Sequence, residues 1–204
     1  MNRTYFDLID HTYYFPQEGF DLRDEHLTFH GISLKHLIDK YGTPFRFIYL
    51  PKIGDQIKKS RNLFNRAIKR SSYRGRYEFC YCTKCNHFSH VVSEALKHKV
   101  NLETSSSFDI DLILNLYQEG KFTKDRFIVN NGYKTDDYLK KIVKLHELGF
   151  KNVITVLDSK TELDRLLKFA GKNVIKIGLR MAINEEPQSS YYTSRLGIRH
   201  NEML

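Results

Sequence analysis

Residues 79–90 read FCYCTKCNHFSH and gather three cysteines, two histidines and one lysine into a dozen positions. Two chemistries compete for them. Cys82 and Cys85 have C-x-x-C spacing, with His87 and His90 close behind, and these are zinc-ligand types. Structural zinc, however, usually takes two ligand pairs separated by a loop, whereas these pairs are nearly contiguous and overlap a strand pattern. Cys80 and Cys82 would share one strand face while Cys85 lies past its end, a poor start for a tetrahedral cage. The expectation is therefore no metal site, with the cysteines packing as small hydrophobes.

The second chemistry belongs to Lys84. It ends an apolar, aromatic strand pattern and precedes a helical one, and βα proteins place their sites at the C-terminal ends of strands. Cys80, Cys82 and Lys84 alternate onto one face, which in a barrel can point inward. Desolvation there favours the neutral amine, the form that condenses with an aldehyde. A lysine snorkelling at a strand end has the same spacing, so Lys84 alone decides little. Other strand ends add to it. The next strand pattern ends LETSSSFD, placing Glu103 and Asp109 around a small-residue turn. A carboxylate on the same rim could pair with Lys84, although simple helix capping would also explain the serines. Asn130, Asn131 and Gly132 follow the third strand pattern, and Arg180 ends the last one.

The elements that must position these residues repeat. Strand patterns cover residues 77–83, 100–104, 126–130, 152–157 and 173–181, with a helical pattern after each of the first four. Thr135 and either Ser159 or Thr161 are expected helix caps, with Gly149 and Gly171 as stops. Strands alternating with helices at this interval indicate βα units and a parallel sheet. Right-handed crossovers that always add to one edge curl such a sheet toward a β/α barrel, and a doubly wound open sheet is the alternative. No G-x-G-x-x-G follows the first strand, so the dinucleotide fingerprint is missing. About five units are countable where a barrel needs eight, which leads to the expectation that the 204 residues are a front portion of a longer protein.

Upstream, residues 1–50 read as a lead-in. It is irregular except for a short amphipathic helix over GISLKHLIDKYGTP, with Leu34, Leu37 and Ile38 on one face, and a strand at FRFIYL, 45–50. A long helical pattern starts at Pro51 and runs to about Lys69. Residues 51–204 are assigned to the incomplete barrel. The net charge of +9 is spread along helical patterns without a basic run or recognition motif, so no nucleic-acid partner is expected. No apolar run is long enough for a signal peptide or a membrane span, and the expected location is cytoplasmic. Three cysteines within six positions make no disulfide framework.

At these residues the chain resembles the fold-type III pyridoxal-phosphate decarboxylases, barrel enzymes acting on diaminopimelate, ornithine and arginine. YGTPFRFIYL (41–50) is similar to their strand entrance, with the adjoining strand at a C-terminal β-domain interface, and YCTKCN (81–86) to the strand bearing their cofactor lysine and following asparagine. LETSSSFDIDLIL (102–114) resembles their acidic, small-residue and second acidic sequence. RFIVNNGYKTDDYL (126–139) resembles the N-G-Y-K segment of biosynthetic arginine decarboxylases. GLRMAINEE (178–186) and TSRLGI (193–198) resemble the arginine strand and the segment after it. The resemblance implies that Lys84 holds pyridoxal 5'-phosphate and that Asn86, Glu103, Asp109 and Arg180 belong to the cofactor site. It implies decarboxylation of an amino-acid substrate, arginine to agmatine for polyamine synthesis, in a homodimer or higher homo-oligomer. Diaminopimelate decarboxylation and a non-catalytic relative are the alternatives. The family's stacking histidine, phosphate loop and C-terminal β-domain are expected beyond Leu204, His200 being no substitute, so the 204 residues alone are expected to be inactive.

Overall fold

The computed structural model describes residues 18–182 and 197–199, and the chain divides into two units, Met1–Ile48 and Tyr49–Leu204. Within the first, three short strands form an antiparallel sheet in sequence order: β1 (Phe20–Arg23), β2 (His26–Phe29) and β3 (Ile32–Ser33). This corrects the expected irregular lead-in. Arg23 pairs with His26 across a two-residue loop whose Asp24 and Glu25 both have positive φ, 49° and 61°. Such hairpin loops ordinarily advertise themselves with Asn-Gly or Asp-Gly. Asp-Glu carries no such signal. Helix α1 (Leu34–Tyr41) follows, capped by the Ser33 hydroxyl accepting from the His36 amide at 3.3 Å and ended at Gly42. The strand expected at FRFIYL does not form. Its aromatic residues make ring contacts instead, Phe47 lying 5.0 Å from Phe29 and 6.0 Å from Phe45.

The second unit starts with α2 (Pro51–Arg70), where Pro51 occupies the first turn and needs no N–H. Five strands then alternate with four helices: β4 (Cys80–Cys82), α3 (Ser89–Lys97), β5 (Asn101–Thr104), α4 (Ser107–Gln118), β6 (Phe127–Asn130), α5 (Asp136–Glu147), β7 (Asn152–Leu157), α6 (Lys160–Ala170) and β8 (Lys176–Leu179). All are parallel, and their order in the sheet is their order in sequence, β4-β5-β6-β7-β8. A doubly wound sheet reverses direction at a switch point; this one does not, and its winding is that of a β/α barrel. Thr135 and Ser159 cap α5 and α6 through their hydroxyls, and Gly171 ends α6.

The register gives the sheet two unlike faces. Tyr81, Leu102, Ile128 and Val153 are successive partners, and the last three are fully buried among Ile110, Ile113, Ile142 and Leu145 of the covering helices. Fully burying each such side chain contributes roughly 1.5–3 kcal/mol. One residue along, the partner row is Cys82, Glu103, Val129, Ile154 and Lys176, none of them buried. This is the face that a barrel turns inward.

Candidate functional site

Strand β4 stops at Cys82, earlier than its apolar pattern suggests, because residues 83–85 turn: the Cys85 amide donates to the Cys82 carbonyl at 3.1 Å. Buried Thr83 pins the turn to β5, its amide and hydroxyl both donating to the Glu103 carbonyl at 3.0 Å. Lys84 therefore projects from the crest of a fixed turn. Its side chain is exposed, which corrects the expectation of a desolvated amine: the turn carries it past the strand end. Its amine makes no hydrogen bond or ion pair among the described residues. With His87, Ser105, Ser106, Phe108 and Asp109 it lines a pocket of about 370 Å³.

The expected carboxylate partner is engaged elsewhere. Glu103 accepts through Oε1 from Asn131 Nδ2 at 3.1 Å, joining the ends of β5 and β6 rather than pairing with Lys84. Asp109 closes a capping box. Its Oδ2 accepts from the amides of Ser105 and Ser106 at 2.8 and 3.0 Å and from both hydroxyls, while the Ser106 hydroxyl caps α4. It shapes the pocket wall without reaching Lys84. Asn86 steers the chain into α3: Oδ1 accepts from the Phe88 amide at 3.0 Å, and its carbonyl accepts from the Tyr81 hydroxyl at 2.7 Å. Arg180 follows β8, as expected, and its Nη1 lies 3.6 Å from Asp158 Oδ1. Of the segment TSRLGI only Gly197 and Ile198 are described. His200 lies outside the described residues, as do 183–186 of the arginine-strand segment.

Sequence reasoning missed a buried charged group. Lys134 is completely buried. Its Nζ donates to the Gly132 carbonyl at 2.7 Å and to the Val156 carbonyl, and it pairs with Glu162 Oε2 at 3.4 Å. Gly132 turns with φ 75°, a conformation glycine adopts freely. Glu162, 1% exposed, also accepts from the backbone amides of Lys134 and Asp158 at 2.8 and 2.9 Å. Burial pulls the Lys134 amine below the ordinary lysine range, opposed by Glu162 and Asp158. Burial also pushes the Asp158 carboxyl up, with Lys134 opposing. The signal available was a lysine in a glycine-containing strand-end loop and an acid at the next strand end. Nothing local distinguished them from surface charges.

The cysteines are free thiols. Burial, with Glu103 and Glu78 nearby, pushes Cys80 up to about 11, and burial and Glu103 also raise Cys82. The thiolate is the metal-binding form. Among the described residues no group of three or more His, Cys, Asp or Glu side chains is arranged to hold a metal ion, and no described helix is long and apolar enough to cross a membrane.

Comparison with known proteins gives this arrangement a family. The biosynthetic arginine decarboxylase of Prochlorococcus marinus is 26% identical over 175 residues, 80% of this chain and 26% of that protein. That of Marinobacter nauticus is 32% identical over 137 residues, 63% of this chain and 21% of that protein. The chain thus spans about a quarter of the length of the relatives it matches. Among solved structures, the biosynthetic arginine decarboxylase of Campylobacter jejuni superposes with a TM-score of 0.69 over 91% of this chain and 32% of that one, at 19% identity. Diaminopimelate decarboxylase of M. jannaschi gives 0.67 over 91% and 42%, at 18% identity. At such identities these two show a shared fold. The family model described as "Pyridoxal-dependent decarboxylase, pyridoxal binding domain" matches residues 55–201, which takes in every residue of the β4–β8 sheet and well over half the chain. The chain therefore belongs to the pyridoxal-dependent decarboxylases, through their pyridoxal-binding domain.

Proposed function

We propose that this chain carries the lysine-bearing part of a decarboxylase that converts L-arginine to agmatine, with Lys84 as the cofactor lysine. The observation that supports it is the position of that amine. It stands exposed on a pinned turn at the C-terminal end of the first parallel strand, beside a pocket of about 370 Å³, with no acceptor among the described residues engaging it. An amine held in no ion pair is free to condense with an aldehyde. The residues present thus fit pyridoxal 5'-phosphate, which when bound supplies the aldehyde and an electron sink for the carbanion left by loss of CO₂.

The protein's own residues bind and orient. Lys84 Nζ would hold the cofactor covalently, condensing with its aldehyde with loss of water. Arg180, half-exposed at the end of β8, would offer its guanidinium donors to the anionic parts of the cofactor or to a neighbouring carboxylate. Glu103 and Asn131 bridge two strand ends and keep the inner wall polar next to the Lys84 turn. Asp109 and Asn86 hold the backbone on either side of the pocket. The arginine assignment rests on the relatives named above. A cytoplasmic homodimer acting in polyamine synthesis completes the reading.

The test is spectroscopic first. The full-length protein titrated with pyridoxal phosphate should develop the visible band of lysine-bound cofactor, and Lys84→Ala should lack it. Labelled arginine should then release CO₂. Release from diaminopimelate instead would reassign the substrate; a bound cofactor with no release from either would favour a non-catalytic relative; and an unchanged band in Lys84→Ala would sink the assignment of the lysine.

A further inference from the structure

The buried charges Lys134, Glu162 and Asp158 have no part in the chemistry above, and their burial needs a reason. Replacing a buried ion pair with apolar side chains is often neutral or stabilising, so stability alone does not explain them. Their connections run in one direction. Lys134 fastens the β6 loop at Gly132 to β7 at Val156 and to Glu162 of α6. Glu162 takes the Asp158 amide and so fixes the end of β7. Asp158, 7% exposed, then presents a carboxylate whose two oxygens have no hydrogen-bond partner among the described residues. The cation nearest the rim is Arg180, at 3.6 Å, an ion pair too long to be a hydrogen bond. Three consecutive strand ends are thereby tied into one unit that terminates on the half-exposed Arg180 guanidinium.

We propose that Asp158 is a positioning residue for Arg180: it holds the guanidinium at the rim in the direction from which it meets the cofactor, and Lys134 and Glu162 hold Asp158. The assignment rests on the proposed cofactor role of the rim. Asp158 itself touches no cofactor; it acts through Arg180.

A double-mutant cycle on pyridoxal-phosphate affinity, read by absorbance titration of the full-length protein, tests it. Arg180→Ala and Asp158→Asn are each expected to weaken binding by about tenfold, as loss of the outer partner of a ligand-holding group does at metal sites. The double variant should be no weaker than Arg180→Ala alone, since removal of the arginine leaves Asp158 nothing to orient. Thermal melting of each variant separates loss of fold from loss of affinity, and Asp158→Ser goes through the same cycle should Asp158→Asn not fold. The proposal is overturned if the Asp158 effect persists in full in the Arg180→Ala background, or if Arg180→Ala leaves affinity unchanged. A wild-type protein without the lysine-bound band removes the cofactor reading and this assignment with it. A normal band together with additive variants removes this assignment alone.

Discussion

Two lysines stand at the same end of the same sheet and differ in almost everything else. Lys84 is exposed on a turn and engages no acceptor among the described residues, whereas Lys134 is fully buried against two carbonyls and a carboxylate. A reactive amine must be able to lose its proton and reach its electrophile. Lys134 has the first property in part, since burial lowers its proton affinity, but its nitrogen is occupied and out of reach. Lys84 has the access. If Lys84 is the cofactor lysine, as proposed, then access and freedom from partners, and not perturbed protonation, mark the functional lysine at this rim.

The largest expected effect breaks or confirms that contrast outright. Borohydride reduction of the protein with pyridoxal phosphate should fix the label on the peptide containing Lys84, leave Lys134 unlabelled, and label both after denaturation. Peptide mass spectrometry checks it, and native labelling of Lys134 would reverse the assignment.

Next in size is the stability cost of disturbing the buried lysine. Lys134→Met leaves the Glu162 carboxyl buried without its cation, held among the described residues by the amides of residue 134 and Asp158. Breaking a buried pair in this way costs about 3–5 kcal/mol, measurable by urea denaturation. Lys84→Met should change stability by less than about 0.5 kcal/mol, since the side chain is exposed and unpaired among the described residues. Equal losses for the two would show that the Lys84 turn depends on contacts of its side chain.

A smaller step separates the polar rim from the apolar layer beneath it. Ile128→Val, in the fully buried row under Asn130, should cost about 0.5–1.5 kcal/mol and leave cofactor titration unchanged. A loss of affinity comparable to that of Arg180→Ala would mean that the core, and not the charged relay, sets the rim.

How legible these features were in sequence depended on how local their causes are. The βα rhythm from Pro51 to Leu179 is written in alternation and in caps that act within a turn, Thr135 and Ser159 among them. Arg180 was placed correctly because the end of a strand is a local property. The burial of Lys134 was not readable, because, apart from the nearby Gly132 carbonyl, the groups that receive it, the Val156 carbonyl and the Glu162 carboxylate, are 22 and 28 residues away. The partner of Glu103 is 28 residues on, so its bond to Asn131 was equally hidden, and a pairing with Lys84 looked equally open. FRFIYL failed as a strand for a related reason. Aromatic content favours a pleated surface only when a neighbouring strand is there to receive it.

The smallest effect concerns the inner wall below Lys84, where exposure again decides chemistry. Cys80 is half-buried with its thiol pushed up to about 11, whereas Cys85 is exposed on the Lys84 turn. An ordinary thiol in the unfolded chain ionises near pH 9. Between pH 9 and 11 the unfolded state therefore sheds a proton that folded Cys80 retains, and stability must fall as pH rises through that window. Below pH 9 both states are protonated and the contribution is fully present. Cys82 and Tyr81 are shifted in the same direction, so the slope in the native protein is shared. Comparing stability against pH in the native protein and in Cys80→Ala isolates the one thiol: the variant should lose less between pH 9 and 11. An alkylating reagent at pH 8 gives the same contrast kinetically, since the thiolate is the nucleophile, with Cys85 reacting well before Cys80. Identical pH slopes in the two proteins would mean that the wall at Cys80 is open to water, and the claim that access rather than residue type sorts the groups at this end of the sheet would then lose its support among the thiols.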